Sequence, residues 1–360
     1  MAGMNGHLIT IEDGSAQEPS LVNVERLLSS SALFWLDLAD LSHEETESLL
    51  GGTFGFHPLA VEDADHFGQR PKLDAYDAFT LLVVYGASTS GQLVEVHCFI
   101  TERYLLTVHK EPCPELASLA ERWRRSANRK GGSLMLLYRV VDTLVDGYFP
   151  VLAALDDQID EIEDEILRRP TDEQLGRLFD MKRSLIGMRK VVGPQRDVFA
   201  SILGDATALP GMSEDSASYF RDIYDHLIRV SDLVDSYRDL RSGALDTHLS
   251  TVSNRLNVVM KQLTIIATVF LPISFLTGFF GQNFSWMVNR LGGLPVFASV
   301  GIGLQLIVAI VLVMLFRGRG WLTADGTVPP AVPGKRPTLS RAKRWHTVNP
   351  LATRTSPSMS

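Results

Sequence analysis

The sequence predicts an α+β fold: an N-terminal cytoplasmic α/β domain, a long helical stalk, and two C-terminal transmembrane helices. Three observations predict it. Residues 263–280 (LTIIATVFLPISFLTGFF) and 294–316 (LPVFASVGIGLQLIVAIVLVMLF) carry no charge and are separated by one short loop, and roughly 20 apolar residues cross the hydrocarbon layer. Residues 32–109 hold short runs rich in β-branched and aromatic side chains, the pattern of strands. From Glu214 no helix breaker occurs until Pro272, so one long helix is expected to run into the first apolar segment.

Composition sets the outer bounds. A chain of 360 residues can bury one large or two ordinary domains. Cys98 and Cys113 are fifteen residues apart with no CxxC pair, which argues against a disulfide framework or zinc knuckle and suits a reducing compartment. The start, MAGMNGHLITIEDGS, lacks a basic stretch followed by an apolar core, so no cleavable signal is expected. The net charge of −8 is unevenly placed: residues 317–360 carry eight Lys/Arg and one acid, leaving 26 bases against 41 acids elsewhere. An acidic body argues against a nucleic-acid partner, which wants the opposite sign. It suits cations.

Residues 1–130 read as the α/β domain, with strands expected at 32–38, 78–87, 93–100 and 103–109. Ser42-His-Glu-Glu45 has the form of a capping box opening a helix through Leu50, and a further helix covers 114–128. Residues 131–253 read as long cytoplasmic helices leading to the pore helix. One is expected from Ser133 to Arg169, kinked at Pro150; the next covers 171–204, broken around Pro194; the last starts near Glu214. The first span is placed at 254–283, the outer loop at 284–293 and the second span at 294–316. Arg255 and Lys261 precede the first span and Arg317 and Arg319 follow the second, while the loop holds only Arg290, so both termini are assigned to the cytosol. The tail, 317–360, is basic and rich in Pro and Ser, as expected of a disordered segment lying on anionic lipid.

Along the first span, Asn257, Met260, Leu263, Ala267, Leu271, Ser274, Gly278 and Gly281 recur at steps of three and four, which is one helix face. Two readings stay open at this point. Small residues serve close helix packing, and the same face would line a pore if several copies met around an axis.

That stripe ends on Gly281-Gln282-Asn283. The triplet, together with HPLAVEDADHFGQRPKLDAYD (57–77), YLLTVH (104–109), YFRDIYDHLIR (219–229), LDTHLSTVSNRLNVVMKQLTIIATVFLP (245–272) and RGRGWL (317–322), resembles the CorA family of divalent-cation channels, whose first span ends in Gly-Met-Asn. The resemblance implies a funnel-shaped homopentamer in the lipid of the cell (inner) membrane. It implies a transporter rather than an enzyme, with Mg²⁺ as both transported and regulatory ion, Co²⁺ and Ni²⁺ carried besides, and no organic cofactor. Gly281, Gln282 and Asn283 would select the ion, and Asn257, Met260, Leu263, Ala267, Leu271, Ser274 and Gly278 would line the pore. Asp63 and Asp222 match residues that hold a regulatory Mg²⁺ between subunits, with Glu62, His66 and His226 close to them in the motifs. Two departures stand out. Gln282 replaces the family's methionine, and the loop SWMVNRLGG (285–293) lacks an acidic Met-Pro-Glu-Leu element and carries Arg290, a charge that repels cations.

Between Arg139 and Arg168 there is no Lys or Arg, yet nine acids occur: Asp142, Asp146, Asp156, Asp157, Asp160, Glu161, Glu163, Asp164 and Glu165. Like-charge pairs four apart on a helix cost about 0.2–0.5 kcal/mol each unless neutralised. The run reads either as a solvated helix face or as a diffuse site for divalent ions. No phosphate-binding loop of the form GxxxxGK[ST] occurs, and His43-Glu-Glu-Thr-Glu47 fails the HExxH pattern at its last position. The competing readings are a membrane-anchored scaffold and, within transport, a zinc-handling relative of the ZntB type.

Overall fold

A computed structural model describes residues 4–11, 13–125, 132–205, 208–282, 285–290 and 293–321. The chain divides into two units, Met1–Val252 and Ser253–Ser360.

The first unit is built on a seven-stranded sheet: β1 (Gly6–Thr10), β2 (Ala16–Gln17), β3 (Phe34–Ala39), β4 (Lys72–Ala75), β5 (Thr80–Ala87), β6 (Leu93–Ile100) and β7 (Tyr104–His109). Their order is β2-β1-β3-β7-β6-β5-β4. Only the central β3–β7 pair is parallel; the other neighbours are antiparallel. The four strands legible in the sequence are β3, β5, β6 and β7. β5 is buried along its whole length, which is why Leu81–Val84 is a continuous apolar run rather than an alternating one. β1, β2 and β4 escaped the sequence reading. β2 has two residues, and β4 is a charged edge strand (KLDA) with a single strand neighbour.

The helices of this unit are α1 (Leu21–Ser29), α2 (His43–Thr46), α3 (Pro58–Asp65), α4 (Pro114–Arg125), α5 (Gly132–Asp146), α6 (Tyr148–Arg168), α7 (Asp172–Gly204) and α8 (Glu214–Phe280). The Ser42–Glu45 capping box opens α2 as expected, and a π-helical turn, Glu47–Thr53, continues it. Two expectations about proline are corrected. The helix expected over 133–169 is two helices, parted at Gly147 rather than kinked at Pro150. A Cβ at Gly147 would fall on the Ala87 carbonyl oxygen at the end of β5, so the close crossing of the sheet sets the break. Pro150 is the third residue of α6, inside the first turn, where no intrahelical N–H partner is needed. Likewise α7 is not broken at Pro194; Val191, Val192 and Gln195, on either side of the missing N–H, are all buried.

Gln195 explains how α7 is fixed to the sheet. The β4–β5 ladder ends at the Lys72–Val83 pair, which would leave Tyr85 with an unpaired N–H and C=O on that edge. The Gln195 carboxamide satisfies both: the Tyr85 N–H donates to Oε1 at 2.7 Å, and Nε2 donates to the Tyr85 carbonyl at 3.1 Å. The first part of α8 buries Phe220, Ile223, Leu227, Val230, Val234, Arg241, Ala244 and His248. Phe220 stacks on Phe199 of α7 and His248 Nε2 lies 3.2 Å from the Thr171 carbonyl at the start of α7.

In the second unit α8 continues through Pro272 to Phe280, and α9 (Ser285–Arg290), α10 (Leu294–Val296) and α11 (Leu304–Gly318) follow, with a π-helical turn over Phe297–Gly303. The connection between the two long apolar helices therefore contains a short helix. Two helices, Glu214–Phe280 and Leu294–Gly318, are long and apolar enough to cross a membrane. Within the unit Gln305 donates to the Thr277 hydroxyl at 3.0 Å, and Trp321 stacks on Phe316. Asn283 and most of the expected disordered tail (322–360) lie outside the described residues.

Candidate metal sites

At the end of α8, the Gly281 N–H closes the last turn on the Thr277 carbonyl at 2.9 Å, and a Cβ there would stand 3.0 Å from the same oxygen. Gln282 follows, exposed. Asn257, Met260, Leu263, Ala267, Leu271, Ser274 and Gly278 are all exposed in the chain. Of the half-buried residues of this stretch, Ile265, Val269, Pro272, Ile273, Leu276 and Phe280 fall on the opposite face at 3.6 residues per turn.

A second site lies in the first unit. Asp142 and Asp146 stand one turn apart on α5, and His226 reaches them from α8; one ligand atom from each lies within 4.8 Å of the others. His226 Nδ1 is 3.6 Å from Asp146, and its Nε2 is 3.8 Å from Asp222, one turn earlier on α8. Tyr138 donates to Asp222 at 3.5 Å. Phe149 packs edge-on against the imidazole, and His226 Nδ1 is buried without a hydrogen bond. Burial, then the charge of Asp146, pushes the Asp142 carboxyl up to about 6. Burial also raises Asp146, with Asp222 adding to it and His226 opposing it. Crowded carboxyls that resist ionisation, beside an imidazole nitrogen lacking a hydrogen bond, fit a divalent cation, which would neutralise the first and bond to the second. Oxygen donors suit Mg²⁺, and the imidazole adds affinity for Co²⁺, Ni²⁺ and Zn²⁺.

Asp63 occupies a different setting, on the last turn of α3. Lys72 Nζ lies 2.5 Å from Asp63 Oδ2 and 2.9 Å from Asp74 Oδ2. Glu62 is exposed beside it, and its carbonyl accepts from His66. Among the described residues no hydrogen bond or ion pair joins Asp63 to Asp222 within the chain. The two acids are separately partnered, Asp63 by Lys72 and Asp222 by Tyr138 and His226.

The run of nine acids divides. Asp142 and Asp146 belong to α5 and the cation-fitting cluster; the rest lie on α6. There Arg177 of α7 pairs with Glu161 at 2.6 Å and Glu165 at 3.2 Å, so part of the like-charge cost is met by a cation distant in sequence. Asp142, Asp146 and His226 were all visible in the sequence, but not their grouping. The available signal was an i,i+4 acid pair on an otherwise apolar helix.

Residues 30–318 match the family model described as CorA-like Mg2+ transporter protein. The cobalt/magnesium transport protein CorA of Thermotoga maritima is 35% identical over 318 residues, 85% of this chain and 89% of that protein. A more distant relative, the zinc transport protein ZntB of Yersinia pseudotuberculosis, is 25% identical over 281 residues, 76% of this chain and 82% of that one. In fold, the chain is similar to the CorA magnesium transporter of Methanocaldococcus jannaschii, with a TM-score of 0.75 at 22% identity over 89% of this chain and all of that one.

Proposed function

The chain belongs to the CorA-like Mg2+ transporter family of divalent metal cation transporters, and we propose that it is a homopentameric channel of the inner or plasma membrane that takes up Mg²⁺, with Co²⁺ and Ni²⁺, under the control of cytosolic Mg²⁺. The observation that carries this reading is the exposed stripe from Asn257 to Gly278, opposite the half-buried face of the same helix and ending at Gly281. Five copies of that stripe around an axis form a pore wall. Carbonyls near Gly281 and the amides of Gln282 and Asn283 then supply oxygen dipoles at the outer mouth. Mg²⁺ surrenders water reluctantly, so neutral oxygens hold the hydrated ion through its waters and release it again. Met260, Leu263 and Leu271 form apolar rings that close the pore by dewetting.

Control rests on the acids of the first unit. Asp63 and, from the neighbouring subunit, Asp222 would hold the regulatory ion, with Glu62 beside them and the Asp142–Asp146–His226 cluster adjoining Asp222. The ion supplies positive charge where carboxylates would otherwise repel, and it favours the closed form by binding it better. Flux into proteoliposomes with Mg²⁺, Co²⁺, Ni²⁺ and Zn²⁺ in parallel tests the reading. Asp63→Asn/Asp222→Asn is expected to conduct but to lose much of its inhibition by millimolar internal Mg²⁺; an unchanged dose dependence overturns the regulatory assignment. A second reading, zinc transport of the ZntB kind, is favoured by the imidazole of His226 in the cation-fitting cluster. Zn²⁺ flux well above Mg²⁺ flux would establish it.

A further inference from the structure

We propose that Lys72 is a built-in counter-cation that competes with the regulatory divalent ion for Asp63, and so raises the concentration at which that ion binds. The inference rests on the regulatory role given to Asp63 above.

The arrangement follows from local structure. Lys72 and Asp74 are two apart on edge strand β4, so the strand's period of two puts them on one face. The last turn of α3 brings Asp63 to that face. Gln69 locks the connection: its Nε2 donates to the carbonyls of Asp63 at 2.7 Å and His66 at 2.9 Å, holding the loop that leads to Lys72 against the helix end. The ammonium thus bridges Asp63 and Asp74. Its two ion pairs place the positive charge directly on the carboxylate that the divalent ion needs.

The charge balance gives the consequence. Asp63, Asp74 and Lys72 sum to −1, so a divalent ion arriving at Asp63 meets a like-charged neighbour already paired with that carboxylate. Without Lys72 the same three positions carry −2. A unit positive charge about 5 Å from a divalent ion weakens binding by about tenfold even in surroundings as polarisable as water. A transporter whose regulatory ion is abundant in the cytosol requires a weak sensor, and this lysine supplies the weakening without altering the ligands.

The test uses the full chain and two readouts: the Mg²⁺ concentration giving half-maximal protection from proteolysis, and that giving half-maximal inhibition of flux. Lys72→Met is expected to lower both midpoints about tenfold, while Lys72→Arg leaves them within about twofold. Asp74→Asn, which leaves Asp63 as the sole partner of Lys72, is expected to raise both midpoints, a shift of opposite sign that general loosening of the fold would not produce together with the first. In an Asp63→Asn background Lys72→Met is expected to shift nothing further. Wild-type midpoints in Lys72→Met, with a clear shift in Asp63→Asn, overturn the role of Lys72 alone. Wild-type midpoints in Asp63→Asn overturn the role of Asp63 and this inference with it.

Discussion

The two stretches of α8 obey opposite rules. Up to Val252 the helix buries one stripe, Phe220 to His248, and, Arg241 apart, leaves its charged residues exposed or half-buried. From Ser253 to Phe280 no residue is buried, and Leu263, Phe270 and Leu271 are 60–71% exposed. Water explains the first pattern, since a helix in water gains by hiding its apolar face. The second pattern suits a surface that meets lipid or further copies of the chain, since hydrocarbon tails are as apolar as leucine and leave no drive to bury one side chain over another. What matters in the second stretch is then the placement of small and polar residues, not the burial of large ones.

The sharpest way to break this comparison is at the end of the second stretch. Gly281→Ala puts a methyl group 3.0 Å from the Thr277 carbonyl, and Asn283→Ala removes the proposed oxygen ring. Each is expected to abolish divalent flux, by more than about tenfold, in protein that still inserts and assembles. Gln282→Met should retain transport. Near wild-type flux through Asn283→Ala would overturn the assignment of the triplet as the selectivity filter.

In the first unit the expected currency is buried polar satisfaction. Gln195→Leu leaves the Tyr85 N–H and C=O unpaired in a buried setting, and should lower the stability of the full chain in detergent by about 3 kcal/mol, read by chemical denaturation. If the midpoint does not move, the carboxamide clamp is dispensable and the contrast between the two units weakens.

A smaller effect is expected at the cation-fitting cluster. Asp142→Asn and His226→Ala should each weaken protection from proteolysis by Co²⁺ severalfold, and His226→Ala should spare Mg²⁺ more than Co²⁺, since imidazole suits the softer ion. Equal losses for both ions would assign the histidine to packing against Phe149. The smallest effect is expected from truncation after Leu322, which should leave assembly and flux unchanged; failure to assemble would show the basic tail to be structural.

Much of this was legible in the residue order. The two long apolar helical segments, the four strongly apolar strands and the Ser42–Glu45 cap are set by local patterns, and a local pattern is complete within a few residues. Proline misled for the same reason. Pro150 and Pro194 look like breaks in isolation, but one sits in a first turn and the other between buried anchors. The actual break, at Gly147, is set by the close passage of Ala87, sixty residues earlier in the chain.

By itself, the sequence determined β3, β5, β6 and β7, the long helix from Glu214 and the two charge-free segments, and that the body is acidic. Only the tertiary structure decided which of those acids are answered by a cation already present. Glu161 and Glu165 meet Arg177, and Asp63 meets Lys72, whereas Asp142 and Asp146 converge with His226 and, among the described residues, have no lysine or arginine within ion-pair distance. The physical reason is one of range. Hydrophobic periodicity is a property of neighbours along the chain, but a charge is compensated by whatever lies within a few ångströms of it, and here that is fixed by how α3 meets β4, α6 meets α7 and α5 meets α8.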